Sequence, residues 1–267
     1  MDIIIKENYD QMSKYAAEII AGYVKSKPNC VLGLATGGTP IGTYKELARM
    51  HKEGLDFSQV KTFNLDEYLG EGFDLNKSYD IDQSYARFMH EELFKHINIK
   101  KENVHIPDGL TKEPEKFCKW YEEEIKKAGG VDLQLLGLGG DGHWAFNEPG
   151  SSLTSRTRIK TLSYDTILAN SRFFNGDIKK VPTQALTVGV GTVMDAKEVL
   201  IIITGYNKAR AVREVVEGGI SHMWTVSMLQ MHQKAIFVCD EPATMELQVE
   251  TVKYFNNLEN VTQQNLP

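Results

Sequence analysis

The stretch VDLQLLGLGGDGHWAFNEP, Val131 to Pro149, joins a short apolar run to a glycine-rich loop. Such a run is typical of a strand buried in a parallel sheet, and open α/β sheets bind ligands at the carboxyl ends of their strands. The loop that follows contains Asp141, His143 and Glu148. The sequence therefore predicts an α/β fold with a ligand site at this loop, where these three titratable side chains would meet the ligand.

The glycines of the same loop allow a second interpretation. Gly137, Gly139 and Gly142 match the pattern G-x-G-x-x-G of a dinucleotide-binding turn. That function requires a helix at the third glycine, with its N-terminus facing the pyrophosphate. A Pro-Gly-Ser-Ser segment follows instead at residues 149–152, without a helical apolar period. We therefore interpret the glycines as sites where the backbone turns sharply and approaches a small ligand closely.

Segments typical of strands and helices alternate along the chain. The strand-like runs are Val31–Leu34, Lys61–Asn64, Val104–Ile106, Val131–Leu136, Val199–Thr204 and Ala235–Val238, and apolar residues recur at helical spacing over residues 9–23, 85–93 and 117–125. This alternation predicts a Rossmann-like, open, mostly parallel sheet with helices on both faces. No long linker, low-complexity tract or internal repeat divides the chain, so we predict one domain over residues 1–267.

Composition excludes several classes of function. The 267 residues, 42% of them hydrophobic, can support one large α/β domain or two small ones. No apolar run reaches the roughly 18 residues of a membrane span, and the start MDIIIKENYD is unlike a signal peptide, so we predict a cytoplasmic protein without a membrane partner. Cys30, Cys118 and Cys239 lack disulfide or zinc-ligand spacing. The net charge of -6 argues against a nucleic-acid partner.

A second glycine-rich loop connects a predicted strand to a predicted helix, and it consists of Thr36, Gly37, Gly38 and Thr39. Thr39 suits the N-cap of that helix, and Pro40 suits its first position. Backbone N–H groups at a helix start carry positive dipole, and glycines let an anion approach, so the loop favours phosphate binding over an ordinary turn. The Lys-Ser/Thr ending of a P-loop is missing, so ATP is not implied.

Asp66, Glu67 and Tyr68 follow the predicted strand Lys61–Asn64. Strand ends place acidic side chains at the ligand edge of a sheet. Taken alone, an Asp-Glu pair is more often a solvated turn, so this segment becomes informative only together with the two loops described above.

These segments together resemble the glucosamine-6-phosphate deaminase family, which is related to phosphosugar isomerases and phosphogluconolactonases. The resemblance extends over nearly the full chain and rests on TGGTP, FNLDEY, GGDGHWAFNEP, SSLTSRTRIKTL, ANSRFF, ALTVGVGT, HMWTVS and CDEPATMEL. It implies a phosphosugar isomerase-like fold. It also implies conversion of glucosamine 6-phosphate to fructose 6-phosphate and ammonia by ring opening, isomerisation and deamination, with no metal and no organic cofactor.

The resemblance also implies roles for the catalytic residues. His143 matches the residue that opens the sugar ring, a proton transfer that suits histidine at neutral pH. Asp141 and Glu148 match the carboxylates that orient and tune this histidine, although a lone histidine is more often structural. Asp66 matches the base that removes the proton from C2 and returns it to C1.

Further residues match the family's binding sites. The family holds the substrate phosphate with the Thr36–Thr39 loop, an arginine and a lysine, which correspond here to Arg172 and Lys208; either could otherwise be a surface charge. It places a mobile lid around residues 151–182. Some members are hexamers activated by N-acetylglucosamine 6-phosphate, at positions matched here by Ser151, Arg158, Lys160, Thr161 and Tyr254. We therefore predict a homohexamer that this effector could regulate; the same cations could instead form a solvated cluster.

The chain departs from the family pattern near the predicted site. Ala35 replaces a proline before TGGTP, Trp144 replaces an aliphatic residue after His143, and the segment of residues 71–83 is longer than its counterpart. Two alternatives therefore stay open, a related phosphosugar isomerase or lactonase and a non-catalytic sugar-phosphate sensor. A lactonase needs no base at C2, and a sensor does not need the four proposed catalytic side chains together.

Overall fold

A computed structural model of the chain describes residues 1–70 and 84–264, with side chains described to residue 261. Its strands are β1 Asp2–Lys6, β2 Val31–Leu34, β3 Lys61–Asn64, β4 Asp66–Tyr68, β5 Val104–His105, β6 Leu133–Gly137, β7 Arg158–Thr161, β8 Gln184–Thr187, β9 Glu198–Ile203 and β10 Ala235–Asp240. Its α-helices are α1 Tyr9–Ser26, α2 Ile41–Lys52, α3 Tyr85–Glu92, α4 Pro114–Lys127, α5 Tyr164–Asn170, α6 Val190–Met194, α7 Ala209–Val216 and α8 Val249–Gln264. The longer segment predicted at residues 71–83 lies outside the described residues.

Seven strands form one parallel sheet in the order β1-β10-β9-β6-β2-β3-β5. The six predicted strands are confirmed to within two residues at each end, and β1 is an additional edge strand. The order steps outward from β2 and β6 in both directions, and because all seven strands are parallel their carboxyl ends lie at one edge of the sheet. That is where open α/β sheets bind ligands.

Each face of this sheet buries its own hydrophobic cluster, because successive side chains of a strand point to opposite faces. Leu136 and Ile201 pack on the face covered by α4, α6 and α7. Leu135 and Leu200 pack on the other face, against α1, α2 and α3. Each fully buried side chain of this size stabilises the fold by about 1.5–3 kcal/mol relative to an exposed one. The predicted arrangement of helices on both faces is therefore confirmed.

A second sheet was not predicted from the sequence: β4, β8 and β7 form an antiparallel sheet with β8 in the centre. The chain enters it directly from the parallel sheet. The Leu65 N–H still bonds to Leu34 O at 3.2 Å, whereas its carbonyl accepts the Val188 N–H at 2.8 Å. Asp66 is the next residue and pairs with Thr187. Asp66 therefore begins a strand of the small sheet instead of ending a strand of the large one.

Two local predictions can be compared with the structure. The prediction that Thr39 is the N-cap of the second helix is wrong. Helix α2 begins at Ile41, its N-cap is Pro40, and no side-chain hydrogen bond caps it. The helix that a dinucleotide turn would require after Gly142 is absent, because residues 138–157 contain no helix. Among residues 1–70 and 84–264, no helix is long and apolar enough to cross a membrane.

Candidate active site

A cavity of about 250 Å³ lies where the carboxyl end of the parallel sheet meets the small sheet. The predicted site residues in its lining are Thr36, Gly37, Gly38, Thr39, Asp66, His143, Arg172 and Lys208. Asp141 and Glu148 do not line it. The structure thus brings together eight of the predicted site residues, from segments between residues 36 and 208 of the chain.

His143 and Asp141 form a hydrogen-bonded pair at this cavity. The contact joins Nδ1 of His143 to Oδ1 of Asp141. An ionised carboxylate only accepts hydrogen bonds, so Nδ1 carries the proton and Nε2 is left to exchange one with a ligand. Burial works against ionisation of Asp141, but the bond from His143 holds the pKa of this carboxyl below its usual value. The pair can therefore give and take a proton at the cavity wall.

Two glycines give this pair its geometry. A Cβ on Gly139 would lie 2.7 Å from Cε1 of His143 and 2.9 Å from Oδ1 of Asp141. Gly142 has φ +73°, and a Cβ there would lie 2.4 Å from Cε3 of Trp224. The loop therefore folds back tightly on itself and on Trp224, as expected from glycines that permit a sharp turn.

Asp66 lies in a drier environment. Its side chain lines the cavity, yet the residue is only 5% exposed. Among residues 1–70 and 84–261, no hydrogen bond to its carboxylate is present, and burial raises the pKa of Asp66 to about 7. Tyr68, Tyr85 and Tyr121 lie close enough to feel its charge. A carboxylate in such surroundings is poised to accept a proton near neutral pH.

Glu148 binds elsewhere than its predicted partner. Its Oε1 accepts the Ser163 N–H at 3.0 Å, the Ser163 hydroxyl at 2.8 Å and the hydroxyl of Thr166. Ser163 is the N-cap of α5. In this structure Glu148 therefore stabilises the start of a helix that covers the cavity, and it makes no hydrogen bond to His143.

The Thr36–Thr39 loop presents unpaired donors to the cavity. The N–H groups of Gly37, Gly38 and Thr39 bond to no acceptor in the described part of the chain. Gly37 has φ +95°, a conformation that other residues rarely adopt. Tyr9 braces the loop from outside, donating to Thr39 O at 3.1 Å and accepting the Gly42 N–H at 2.8 Å. Free amides in such a turn form an anion-binding concavity.

Arg172 and Lys208 bring positive charge to the same cavity. No described carboxylate forms an ion pair with either of them, and Arg172 stacks on the Phe173 ring at 4.7 Å. Burial and the charge of Arg172 lower the pKa of Lys208, while Asp141 opposes them. Two cations at one cavity, the half-buried Lys208 and the exposed Arg172, with no ion-pair partner among the described residues favour a ligand with a dianionic group.

The residues predicted for an effector site fall into two places. Arg158 donates to Asn147 Oδ1 at 2.9 Å, and Lys160 donates to Ser151 Oγ at 3.3 Å. Arg158 and Lys160 lie two residues apart on β7, so their side chains share one face of the strand, and Thr161 is the last residue of β7. Tyr254 lies on α8, and no hydrogen bond or ring contact joins it to the other four.

Sequence reasoning missed several residues of the cavity wall. Tyr85 and Phe146 supply aromatic surface beside Asp66, and Thr166, Asn170 and Phe173 come from α5 and the 3-10 helix after it. A polar pattern marks none of them. Tyr85 directly follows Ser84, the N-cap of α3, so the start of that helix is the sequence signal that could have located Tyr85.

Trp144, the departure that follows His143, packs into the core behind the loop. It is 1% exposed, and its side chain also borders the cavity. No group of three or more His, Cys, Asp or Glu residues that could hold a metal ion is present among the described residues.

The chain matches the family described as glucosamine-6-phosphate isomerases/6-phosphogluconolactonase over residues 6–238. Glucosamine-6-phosphate deaminase 2 of Mus musculus is 54% identical over 267 residues, 98% of this chain and 95% of the relative. The glucosamine-6-phosphate deaminase of Caenorhabditis elegans is 54% identical over 265 residues, 97% of each chain.

Solved structures agree with the fold. A monomeric glucosamine-6-phosphate deaminase is 42% identical, has a TM-score of 0.87 and covers 92% of this chain and 100% of its own. The 6-phosphogluconolactonase of Trypanosoma brucei is 19% identical with a TM-score of 0.72, covering 92% of this chain and 98% of its own. The second similarity shows a shared fold alone.

Proposed function

The chain belongs to the family of glucosamine-6-phosphate isomerases and 6-phosphogluconolactonases, and we infer that it converts glucosamine 6-phosphate and water into fructose 6-phosphate and ammonia. The observation that carries this inference is one cavity with a dry carboxylate, Asp66, a paired histidine, His143, and two cations, Arg172 and Lys208, that pair with no carboxylate in the described part of the chain. Relatives named as deaminases support the choice of substrate.

Ring opening is the first task that this site would perform. The anomeric hydroxyl must lose a proton and the ring oxygen must gain one. His143 suits this transfer because Asp141 fixes its Nδ1 proton and leaves Nε2 for the sugar. The two-residue spacing and the fold of the Gly139 turn support this role, since they hold the imidazole in one orientation.

Removal of the C2 proton is the second task. We assign it to Asp66, whose ionised form is destabilised by burial and is therefore a better base than an exposed carboxylate. The proton returns to C1 and leaves an imine at C2. Water then adds to C2, and ammonia departs as the ketone forms, which balances the reaction. Neither step requires a metal or an organic cofactor.

Phosphate anchoring is the third task. The free amides of Gly37 and Gly38 would bind phosphate oxygens as hydrogen-bond donors, and Arg172 and Lys208 would neutralise the charge. We further propose that residues 151–182 act as a mobile lid, because α5 and the following turn form one wall of the cavity. Slower hydrogen exchange of this segment with bound fructose 6-phosphate would support the lid.

The decisive assay measures ammonia and fructose 6-phosphate produced from glucosamine 6-phosphate by the purified protein. We expect equal amounts of the two products. Opening of 6-phosphogluconolactone without ammonia release would favour the lactonase alternative. Binding of sugar phosphates without turnover of either compound would favour a sensor.

Regulation by N-acetylglucosamine 6-phosphate is a second proposal about this chain. Arg158 is half-buried, burial lowers its pKa, and no described carboxylate pairs with it or with Lys160, which supports an anion site beside Ser151. Thr161 and Tyr254 are assigned to this site by resemblance alone. A sigmoidal substrate curve that the effector makes hyperbolic would support the proposal. A hyperbolic curve that the effector leaves unchanged would contradict it.

Assembly and cellular location complete the proposal. We propose a homohexamer, supported by exposed apolar side chains on and near α8, such as Met245, Val249 and Tyr254. A relative with 42% identity is monomeric, so light scattering of the purified protein is the deciding measurement. A cytoplasmic location suits a phosphorylated substrate, whose charge keeps it from crossing a membrane, and cell fractionation tests it.

A further inference from the structure

Asp240 is a buried carboxylate that the proposed reaction does not use. It ends β10, is 4% exposed and does not line the cavity. No ion pair to a described lysine, arginine or histidine neutralises it. A buried charge without a counter-ion is costly unless hydrogen bonds compensate it. The donors of those hydrogen bonds therefore indicate the role of Asp240.

The hydrogen bonds of Asp240 converge on the turn that follows β9. The Gly205 N–H donates to Oδ1 at 2.9 Å and to Oδ2 at 3.2 Å, and the Thr204 hydroxyl donates to Oδ2 at 2.5 Å. The fourth bond comes from the Ala243 N–H at 3.1 Å and caps the 3-10 helix Glu241–Thr244. Three of the four bonds thus hold the Thr204–Gly205 turn.

This turn delivers Lys208 to the cavity. Gly205 has φ +92°, which other residues rarely adopt, and its carbonyl accepts the Lys208 N–H at 3.0 Å. A 3-10 helix over Tyr206–Lys208 follows, and α7 begins at the next residue. The direction in which the chain leaves Gly205 therefore determines where the Lys208 ammonium lies.

The 3-10 helix that follows this turn also contacts the Gly137–Pro149 loop. The Asn207 carbonyl oxygen lies 3.9 Å from the place where a Cβ on Gly140 would stand, and Gly140 precedes Asp141. A shift of the turn would therefore move Lys208 relative to both Arg172 and the His143–Asp141 pair.

We propose that Asp240 is a positioning residue for substrate phosphate: it holds the Thr204–Gly205 turn so that Lys208 meets the phosphate. This rests on the proposed function, in which Lys208 is a phosphate anchor. The competing role is purely structural, a cap on the Glu241–Thr244 helix. If the turn did not move, removing the negative charge of Asp240 would strengthen phosphate binding, because that charge repels the phosphate. The sign of the change in phosphate affinity therefore separates an electrostatic role from a positioning role.

The test variant is Asp240→Ala. It removes the carboxylate, so the Gly205 and Ala243 N–H groups and the Thr204 hydroxyl all lose their acceptor. We expect KM for glucosamine 6-phosphate to rise about tenfold with kcat changed less than about twofold, and the Kd for inorganic phosphate to rise about tenfold, because a misplaced cation weakens the charge-assisted bond.

Asp132→Ala is the matched control. Asp132 is also a buried aspartate, 3% exposed, and accepts from the Val31 N–H at 2.8 Å as well as from Lys27 and Lys197. It lies at the amino end of the strands, away from the cavity. We expect it to lower the melting temperature while KM and the phosphate Kd stay at their wild-type values.

Thr204→Val separates the role of Asp240 in holding the Thr204–Gly205 turn from its role in capping the Glu241–Thr244 helix. It removes the Thr204 bond and leaves the Ala243 bond intact, so we expect a smaller rise in KM and phosphate Kd, about threefold. An unchanged or lowered phosphate Kd in Asp240→Ala, or a loss confined to kcat, would overturn the proposal. Phosphate binding is measured without turnover, so this outcome is distinct from failure of the wild-type protein to release ammonia.

Discussion

The two sheets supply the cavity in different ways. The parallel sheet contributes His143 and Lys208 from loops that follow its strands, and both carry polar contacts or partial exposure. The small antiparallel sheet contributes Asp66 from the first residue of a strand, with 5% exposure and no described hydrogen bond. The side chains that would contact the sugar and its phosphate thus come from loops, whereas the carboxylate that must stay shielded from water comes from a strand.

The largest expected effect tests the residue from the small sheet. Asp66→Asn keeps the shape of the side chain but cannot accept the C2 proton. We expect kcat to fall by roughly 10²–10⁴-fold, as for loss of a positioned general base, with little change in binding of fructose 6-phosphate. Steady-state kinetics and a product-binding titration measure the two quantities. Normal turnover would remove Asp66 from the mechanism.

Sequence patterns predicted the parallel sheet because buried parallel strands are continuous apolar runs, as in Leu133–Gly137 and Glu198–Ile203. The small sheet has no such signal. Its strand β4 is three residues long and acidic, and β7 contains Arg158 and Lys160. Pairing between such short segments depends on long-range contacts, which neither propensity nor alternation records.

The same contrast applies to the site. The Gly137–Pro149 loop was predicted as a site because titratable side chains follow an apolar run, whereas Asp66 was assigned by the family resemblance, since an Asp-Glu pair alone is more often a solvated turn. Tyr85 and Phe173 were not predicted, because they reach the cavity from helix starts and turns. The Ser163 partner of Glu148 could not be predicted either. Ser163 follows β7, and the pairing of β7 with β8, which places it, is not indicated by the sequence.

The pH dependence of activity should report the dry environment of Asp66. Burial raises the pKa of Asp66 to about 7. Only the ionised form can accept the C2 proton, so we expect kcat/KM to fall as pH drops below about 7, reaching about a hundredth of its maximum two units lower. The residual activity of Asp66→Asn should lack this acidic limb. A limb near the ordinary aspartate value of 3.8 would mean that water reaches Asp66 in the working enzyme.

Stability should change with pH in the opposite sense. The folded protein keeps the Asp66 proton up to pH of about 7, whereas the unfolded chain releases it near 3.8. The stabilising contribution of this proton is therefore complete below about pH 4 and is lost as pH rises through 7. We expect Asp66→Asn to escape that loss, so its unfolding free energy relative to the wild type should increase over this range in denaturant titrations.

A smaller effect is expected from crowding the loop of the parallel sheet. A Cβ on Gly139 would stand 2.7 Å from the His143 ring, so Gly139→Ala must displace the imidazole. We expect kcat/KM to fall about tenfold to a hundredfold, because a misplacement of about 1 Å costs that much. Gly140→Ala is the matched control, since its nearest neighbour would be 3.9 Å away. Equal losses in both variants would contradict the steric explanation.

The smallest effect concerns strain in that loop. Ala145 lines the cavity two residues after His143 and has φ 49°, a left-handed conformation that costs an alanine about 1–2 kcal/mol. Ala145→Gly relieves this strain but gives the unfolded chain more freedom, worth about 0.4–1 kcal/mol. The net gain in stability should be below about 1 kcal/mol, measured by denaturant unfolding.

The same substitution should lower kcat a few-fold, because a loop that relaxes more easily holds His143 less firmly. Ala128→Gly is the control: Ala128 is the C-cap of α4 with φ -69°, so the substitution relieves no strain, and the residue lies outside the cavity lining. We expect it to leave kcat unchanged. If Ala145→Gly gained stability with no loss of kcat, the strain at Ala145 would serve no catalytic purpose.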